Sequence, residues 1–305
     1  MFGRYLLRTG VAVAATFALV IAAIVAVDPL GDFDTEIGDL RTFEYSPLVT
    51  ANLARKLRTG RFILVFGTSR VRLLSRRYLG KDTLNFHVLY GNPRAILGFL
   101  EGLKPIQARN VSRIYVLLDL HTLGPNAYLP PADYGSTAGR YLYRVERIET
   151  YLRAGVSKLW RNATGRFEHY VHPRGYTVPI NDRGNLCDLP FKGAKLVAPG
   201  QAELEALTAI EAYGKRHGIP IVFFSAPVSD KFYATIDKGA LTKWRRAVAS
   251  SVSGYHDLLV ASGISDDCSL WADTIHLNGK GTTLMLNAMT SDRYYRSARK
   301  FNGGN

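Results

Sequence analysis

The stretch Phe66-Gly67-Thr68-Ser69-Arg70 sets a hydroxyl beside a guanidinium directly after an apolar run. A serine in that place can cap the turn that follows. It can also act as a nucleophile, provided that a base within hydrogen-bond reach takes its proton and a third group orients the base. The stretch LWADTIHLNGKG, residues 270–281, offers both partners. Asp273 and His276 stand three apart on a loop or first helical turn, where a carboxylate can fix the tautomer of an imidazole. Taken alone, that pair reads first as a helix N-cap beside a solvent histidine. The chemistry gains weight only from the two stretches together.

Other chemistry-bearing residues are weaker. His169 and His172 in HYVH lack an evident third metal ligand and read as surface or packing residues. His121, one of seven histidines, follows an apolar strand and reads as structural. The stretch GNPRAILG lacks the Gly-Lys-Ser/Thr ending of a phosphate loop. No cofactor and no metal is expected.

The elements that would position Ser69 alternate between strands and helices. Apolar strands are expected at 61–67, 83–89, 112–120, 219–227 and 255–262, with helices at 93–105, 202–218 and 239–252. Continuous apolar strands alternating with helices argue for a parallel sheet covered on both faces, an α/β domain of three layers. Ligands of such sheets sit beyond the carboxyl ends of the strands, which is where Ser69 falls. Residues 121–200 break the alternation. They carry an amphipathic stripe (Tyr141, Val145, Ile148, Leu152 and Val156) and then a turn-rich stretch, and read as an insertion that covers or borders the site.

The N-terminus has a different character. Arg4 and Arg8 precede residues 11–27, which carry no charge, and acids with a proline follow. With its apolar flanks this run reaches the ~20 residues that span a bilayer as a helix. Basic residues ahead of it favour an N-terminus in the cytoplasm and the body outside. A cleaved signal peptide with Ala26 at the cut is the alternative, although such apolar cores usually run ~7–15 residues. Residues 1–29 therefore read as an anchor, 30–60 as a juxtamembrane connector and 61–305 as the α/β domain. Cys187 and Cys268 permit one disulfide in an oxidising compartment, and two separate thiols are as consistent with the spacing. The net charge of +14 outside the cytoplasm suits anionic lipid headgroups or anionic polymers better than nucleic acid, with a merely solubilising surface as the alternative.

The early Gly-x-Ser after the first strand and the late Asp-x-x-His-Leu-Asn-x-x-Gly resemble the SGNH (GDSL-like) hydrolase superfamily. The resemblance implies a three-layer α/β/α domain with Ser69 as nucleophile, His276 as base and Asp273 as its orienting acid. It implies an oxyanion-hole glycine after the second strand, for which Gly91 in LYGNP is placed. The Gly-x-Asn-Asp that the family carries after its third strand is absent, and VLLDLHTLGPN stands there instead. Asn92 or Asn126 would then supply the amide, or the backbone N–H groups of Arg70 and Gly91 would form the hole alone. The Arg70 side chain would hold an anionic substrate group, or equally pair within the fold. The likeness is nearest to membrane-anchored SGNH-like proteins of bacterial envelopes, similar to accessory proteins of polysaccharide O-acetylation. It implies a serine esterase or O-acyltransferase acting on an envelope polysaccharide in a single-pass protein of the bacterial cytoplasmic membrane. A membrane-bound O-acyltransferase would be its partner. The rival reading is an inactive scaffold that binds an anionic envelope polymer or such a partner.

Overall fold

Alternate residues along the central strands face two different cores, and this sets the architecture. Leu64 and Phe66 of β1 (Phe62–Phe66) join Leu84 and Phe86 of β2 (Thr83–Phe86) and Ile114 and Val116 of β3 (Val111–Leu117) on one side. Val65, Tyr115 and Leu117 face the other, with Phe224 of β6 (Ile221–Ser225). The two-residue period of a strand sends successive side chains to opposite faces, so both faces are apolar and both must be covered. Helices Pro93–Glu101, Gln201–His217 and Lys238–Ser251 cover the first through Ile96, Leu100, Leu207, Ile210, Leu241, Trp244 and Val248. Helix Gly279–Thr290 covers the second through Met285, Leu286, Ala288 and Met289.

The computed structural model describes residues 2–27, 53–54, 56–71, 74, 76–79, 82–86, 91–124, 169–171, 177–179, 196–272 and 275–290. Its main sheet has five strands in the order β2-β1-β3-β6-β7, with β7 at Tyr255–Asp257, and every pairing is parallel. That is the 2-1-3-4-5 order of a doubly wound sheet, whose strand order reverses between β1 and β3. A second sheet pairs β4 (His169–Val171) with β5 (Thr177–Pro179) in antiparallel fashion.

The α/β expectation therefore holds, with sharper boundaries. The helix expected at 93–105 stops at Glu101, where the Gly102 N–H turns back to Gly98 and Leu100, and Pro105–Arg109 forms a separate short helix. The strand expected at 255–262 is shorter because side chains end its ladder. Ser225 Oγ accepts from the Leu258 N–H and Asp257 Oδ1 from the Leu259 N–H, both at 3.1 Å. Leu53 and Leu57, within the expected connector, are fully buried in the first core. Most of the 121–200 segment, including the amphipathic stripe, lies outside the described residues.

Residues Phe2–Val27 form one helix, and its side chains at 7–20 are exposed. Among the described residues no helix is long and apolar enough to cross a membrane. The expected span is thus not supported. Cys268 is disulfide-bonded, and the other cysteine of the chain, Cys187, lies outside the described residues.

Candidate active site

Ser69 opens a single 3-10 turn, Ser69–Val71, at the carboxyl end of β1. Gly67 is required just before it, because a Cβ there would stand 2.7 Å from Leu117 Cβ and 2.9 Å from Val71 Cγ2. Side chains from two neighbouring strands pin the turn. Asn85, fully buried in β2, donates through Nδ2 to the Val71 carbonyl at 2.7 Å and the Leu74 carbonyl at 2.9 Å. Thr68 Oγ1 donates to Asp119 Oδ2 at 2.9 Å, just beyond β3.

His276 arrives on a hairpin closed at its base. Trp271 and Leu277 form a bridge, the Ala272 N–H donates to the His276 carbonyl at 2.8 Å, and the Asn278 N–H donates to the Leu270 carbonyl at 2.9 Å. Asn278 then starts helix Gly279–Thr290. Its Oδ1 accepts from the Lys280 and Gly281 N–H groups, and its Nδ2 donates to the Ser269 carbonyl. The Leu-Asn-x-x-Gly signature therefore acts as a hairpin end and helix cap, with Gly281 pressed so close to Leu270 that a side chain has no room.

Ser69 and His276, 207 residues apart in sequence, meet with Oγ and Nε2 2.8 Å from each other. With Nε2 unprotonated, the hydroxyl donates to it, which is the approach a general base needs. Both residues are partly exposed. Asp273 and Asn126 lie outside the described residues.

Gly91 comes to the same place. Its φ is +65°, and a Cβ there would stand 3.2 Å from Gly67 Cα, two residues ahead of Ser69. The next residue, Asn92, is 1% exposed. Its Oδ1 caps helix Pro93–Glu101 by accepting from the Arg94 and Ala95 N–H groups at 2.9 and 3.2 Å. Its Nδ2 has no hydrogen-bond partner among the described residues. A buried amide N–H left unpaired costs free energy until an acceptor reaches it.

Arg70 behaves differently from a substrate clamp. Its side chain is 5% exposed, and the guanidinium that the sequence offers to an anionic group points inward. Nη1 donates to Asp119 Oδ1 at 2.9 Å, Nη2 to the carbonyls of Ala226 (2.8 Å) and Pro227, and Nε to the Ile275 carbonyl at 3.2 Å. Its backbone N–H, a candidate oxyanion donor, donates to Thr68 Oγ1 at 3.3 Å. Burial pushes the Asp119 carboxyl up, but Arg70, His121 and the hydrogen bonds from Thr68 and Arg70 outweigh it and hold it below the usual carboxylate range. The His121 ring stands at the rim, 65% exposed, with Nδ1 4.0 Å from Asp119 Oδ1.

Sequence reasoning missed Asn85 and undervalued Thr68 and Asp119. The available signals were polar residues within or ending otherwise apolar strands, Asn85 in TLNF and Asp119 in VLLDL. Among the described residues no group of three or more His, Cys, Asp or Glu is placed to hold a metal. No protein family, curated protein or solved structure matches the chain.

Proposed function

We propose that the chain is a serine acyl esterase or O-acyltransferase of the SGNH type, tethered to the outside of a bacterial cytoplasmic membrane and acting on an envelope polysaccharide. The observation that carries the reading is the 2.8 Å approach of Ser69 Oγ to His276 Nε2 at the carboxyl edge of the sheet, beside its topological switch point. Ser69 Oγ loses its proton to Nε2 and attacks an ester carbonyl. The carbonyl π electrons move to oxygen, and the oxyanion meets the Gly91 N–H and Asn92 Nδ2. Collapse breaks the ester C–O bond, and the leaving oxygen takes the proton back from His276. Water or a glycan hydroxyl, deprotonated by the same imidazole, then receives the acyl group. Asp273 orients His276 in this reading.

The tether and compartment rest on the sequence: the uncharged run at 11–27, with Arg4 and Arg8 ahead of it. The scaffold alternative draws on Asp119, just beyond β3, where the superfamily carries an amide. A Ser–His separation beyond ~4 Å would favour it, and the 2.8 Å contact supports the enzyme instead. A fluorophosphonate probe tests the choice. Labelling of the wild type that is lost in Ser69→Ala and His276→Ala is expected, and equal labelling of wild type and Ser69→Ala refutes the reading.

A further inference from the structure

One side chain touches the neighbours of both members of the Ser69–His276 pair. Arg70 follows Ser69 directly in the chain, and its Nε donates to the carbonyl of Ile275, which directly precedes His276. The same guanidinium reaches Asp119 beyond β3 and the Ala226 and Pro227 carbonyls beyond β6. Three segments that converge only in the folded chain are thus joined to the serine turn by one planar group. Asp119 is held in turn by the Thr68 hydroxyl and the Leu120 N–H, both at 2.9 Å, and Thr68 immediately precedes Ser69.

We propose that Arg70 is the positioning residue of the site: its inward guanidinium ties the histidine hairpin to the serine turn and so sets the Ser69–His276 distance. The proposal rests on the hydrolase reading and adds a role that the reading does not need. Three features support it. The acceptors are mostly backbone carbonyls, so the contact fixes chain position rather than a flexible side chain. Their directions require a rigid fork of donors, which guanidinium has and ammonium lacks. The side chain is 5% exposed, which keeps water from competing for those bonds. Asp119 supplies the counter-charge that lets the cation stay buried.

The test uses the full-length chain and an uncharged fluorophosphonate, so that a loss of anion binding has no effect on the readout. Arg70→Ala should lower the maximal labelling rate about 10- to 100-fold, the scale of an ångström misplacement of a reacting group. The half-saturating probe concentration should stay unchanged. In the wild type the rate should rise with pH as the histidine loses its proton, and in Arg70→Ala that dependence should flatten because the imidazole no longer reaches Ser69. Arg70→Lys keeps the buried charge without the fork and should remain at least about tenfold slow. It decides the matter if Arg70→Ala does not fold. Wild-type rates and pH dependence in a folded Arg70→Ala, or in Arg70→Lys, overturn the positioning role and leave the hydrolase reading intact. Absence of Ser69-dependent labelling in the wild type overturns the hydrolase reading and this role with it.

Discussion

Two glycines seven positions apart should respond to the same substitution in opposite directions. Gly91 has φ +65°, and a Cβ there would lie 3.2 and 3.3 Å from the Gly67 Cα and carbonyl carbon and 3.4 Å from Thr122 Cγ2. An alanine pays about 1–2 kcal/mol for the left-handed conformation. Crowding against backbone that cannot turn aside adds about 1–3 kcal/mol. The sum, about 2–5 kcal/mol, lowers the melting temperature by about 4–20 °C at the ~2–4 °C per kcal/mol of a body this size. Gly98 lies exposed on helix Pro93–Glu101 with nothing within 4 Å of a built Cβ. Gly98→Ala should stabilise by about 0.5–1 kcal/mol, because glycine in a helix interior loses more backbone entropy than alanine. Thermal unfolding followed by tryptophan fluorescence suits the comparison, since Trp244 and Trp271 are each 1% exposed. The two variants should also separate in function. Gly91→Ala pushes the backbone at 91 away from Gly67 and, in the proposed enzyme, should slow fluorophosphonate labelling by up to about 10²–10³-fold, the cost of a lost oxyanion donor. Gly98→Ala should label as the wild type does. Wild-type stability and labelling in Gly91→Ala would refute the close, left-handed approach of Gly91 to the serine strand.

Removal of the carboxylate in Asp119→Ala strands a buried guanidinium and should cost about 3–5 kcal/mol by urea unfolding, with Asp119→Asn costing less. The same carboxyl sets an acid limb. Its folded pKa lies below the ordinary value of 3.8, so the folded chain binds fewer protons than the unfolded one near that pH. Its stabilisation is fully present above about pH 4 and is lost as pH falls through the lower folded value, and an acid titration of Asp119→Asn should show a shallower limb there. Deletion of residues 1–29 should move the protein from the membrane fraction to the soluble fraction; retention in membranes without them would refute the tether.

The strands were legible because β1 (FILVF), the Ile114–Leu117 part of β3 and the first four residues of β6 are apolar runs that face both cores. Their ends were less so. Helix Gln201–His217 announced its stop through Gly218, which takes φ +65°, whereas β7 ends through side-chain bonds from Ser225 and Asp257 that no periodicity reveals. At the site, Ser69 and His276 could be paired from their motifs. The direction of Arg70 could not, because its acceptors Asp119, Ala226, Pro227 and Ile275 are scattered over the chain and meet only through the parallel crossovers. Asn92 was named for its amide, but its cap on helix Pro93–Glu101, and an Nδ2 without a partner among the described residues, are visible only in the folded chain.

A carboxylate at the end of β3 bears on whether acyl transfer is feasible at all. A bare negative charge there would oppose the oxyanion that Ser69 attack creates, and in a low-dielectric site that repulsion is large. The structure pairs Asp119 with Arg70 at 2.9 Å and adds donors from Thr68 and Leu120, so the group enters the site's electrostatics as a compensated ion pair. The serine turn gains rigidity from this arrangement. In the proposed enzyme the supply of oxyanion donors passes to the β2 side, where Gly91 is folded against the serine strand and Asn92 Nδ2 has no partner among the described residues. Two tasks are thus divided in the proposed enzyme. Asp119 with Arg70 holds the geometry, and Gly91 with Asn92 meets the charge. The division predicts separable defects: Arg70 variants lose the pH dependence set by His276, while Asn92→Ala lowers the labelling rate and keeps that dependence.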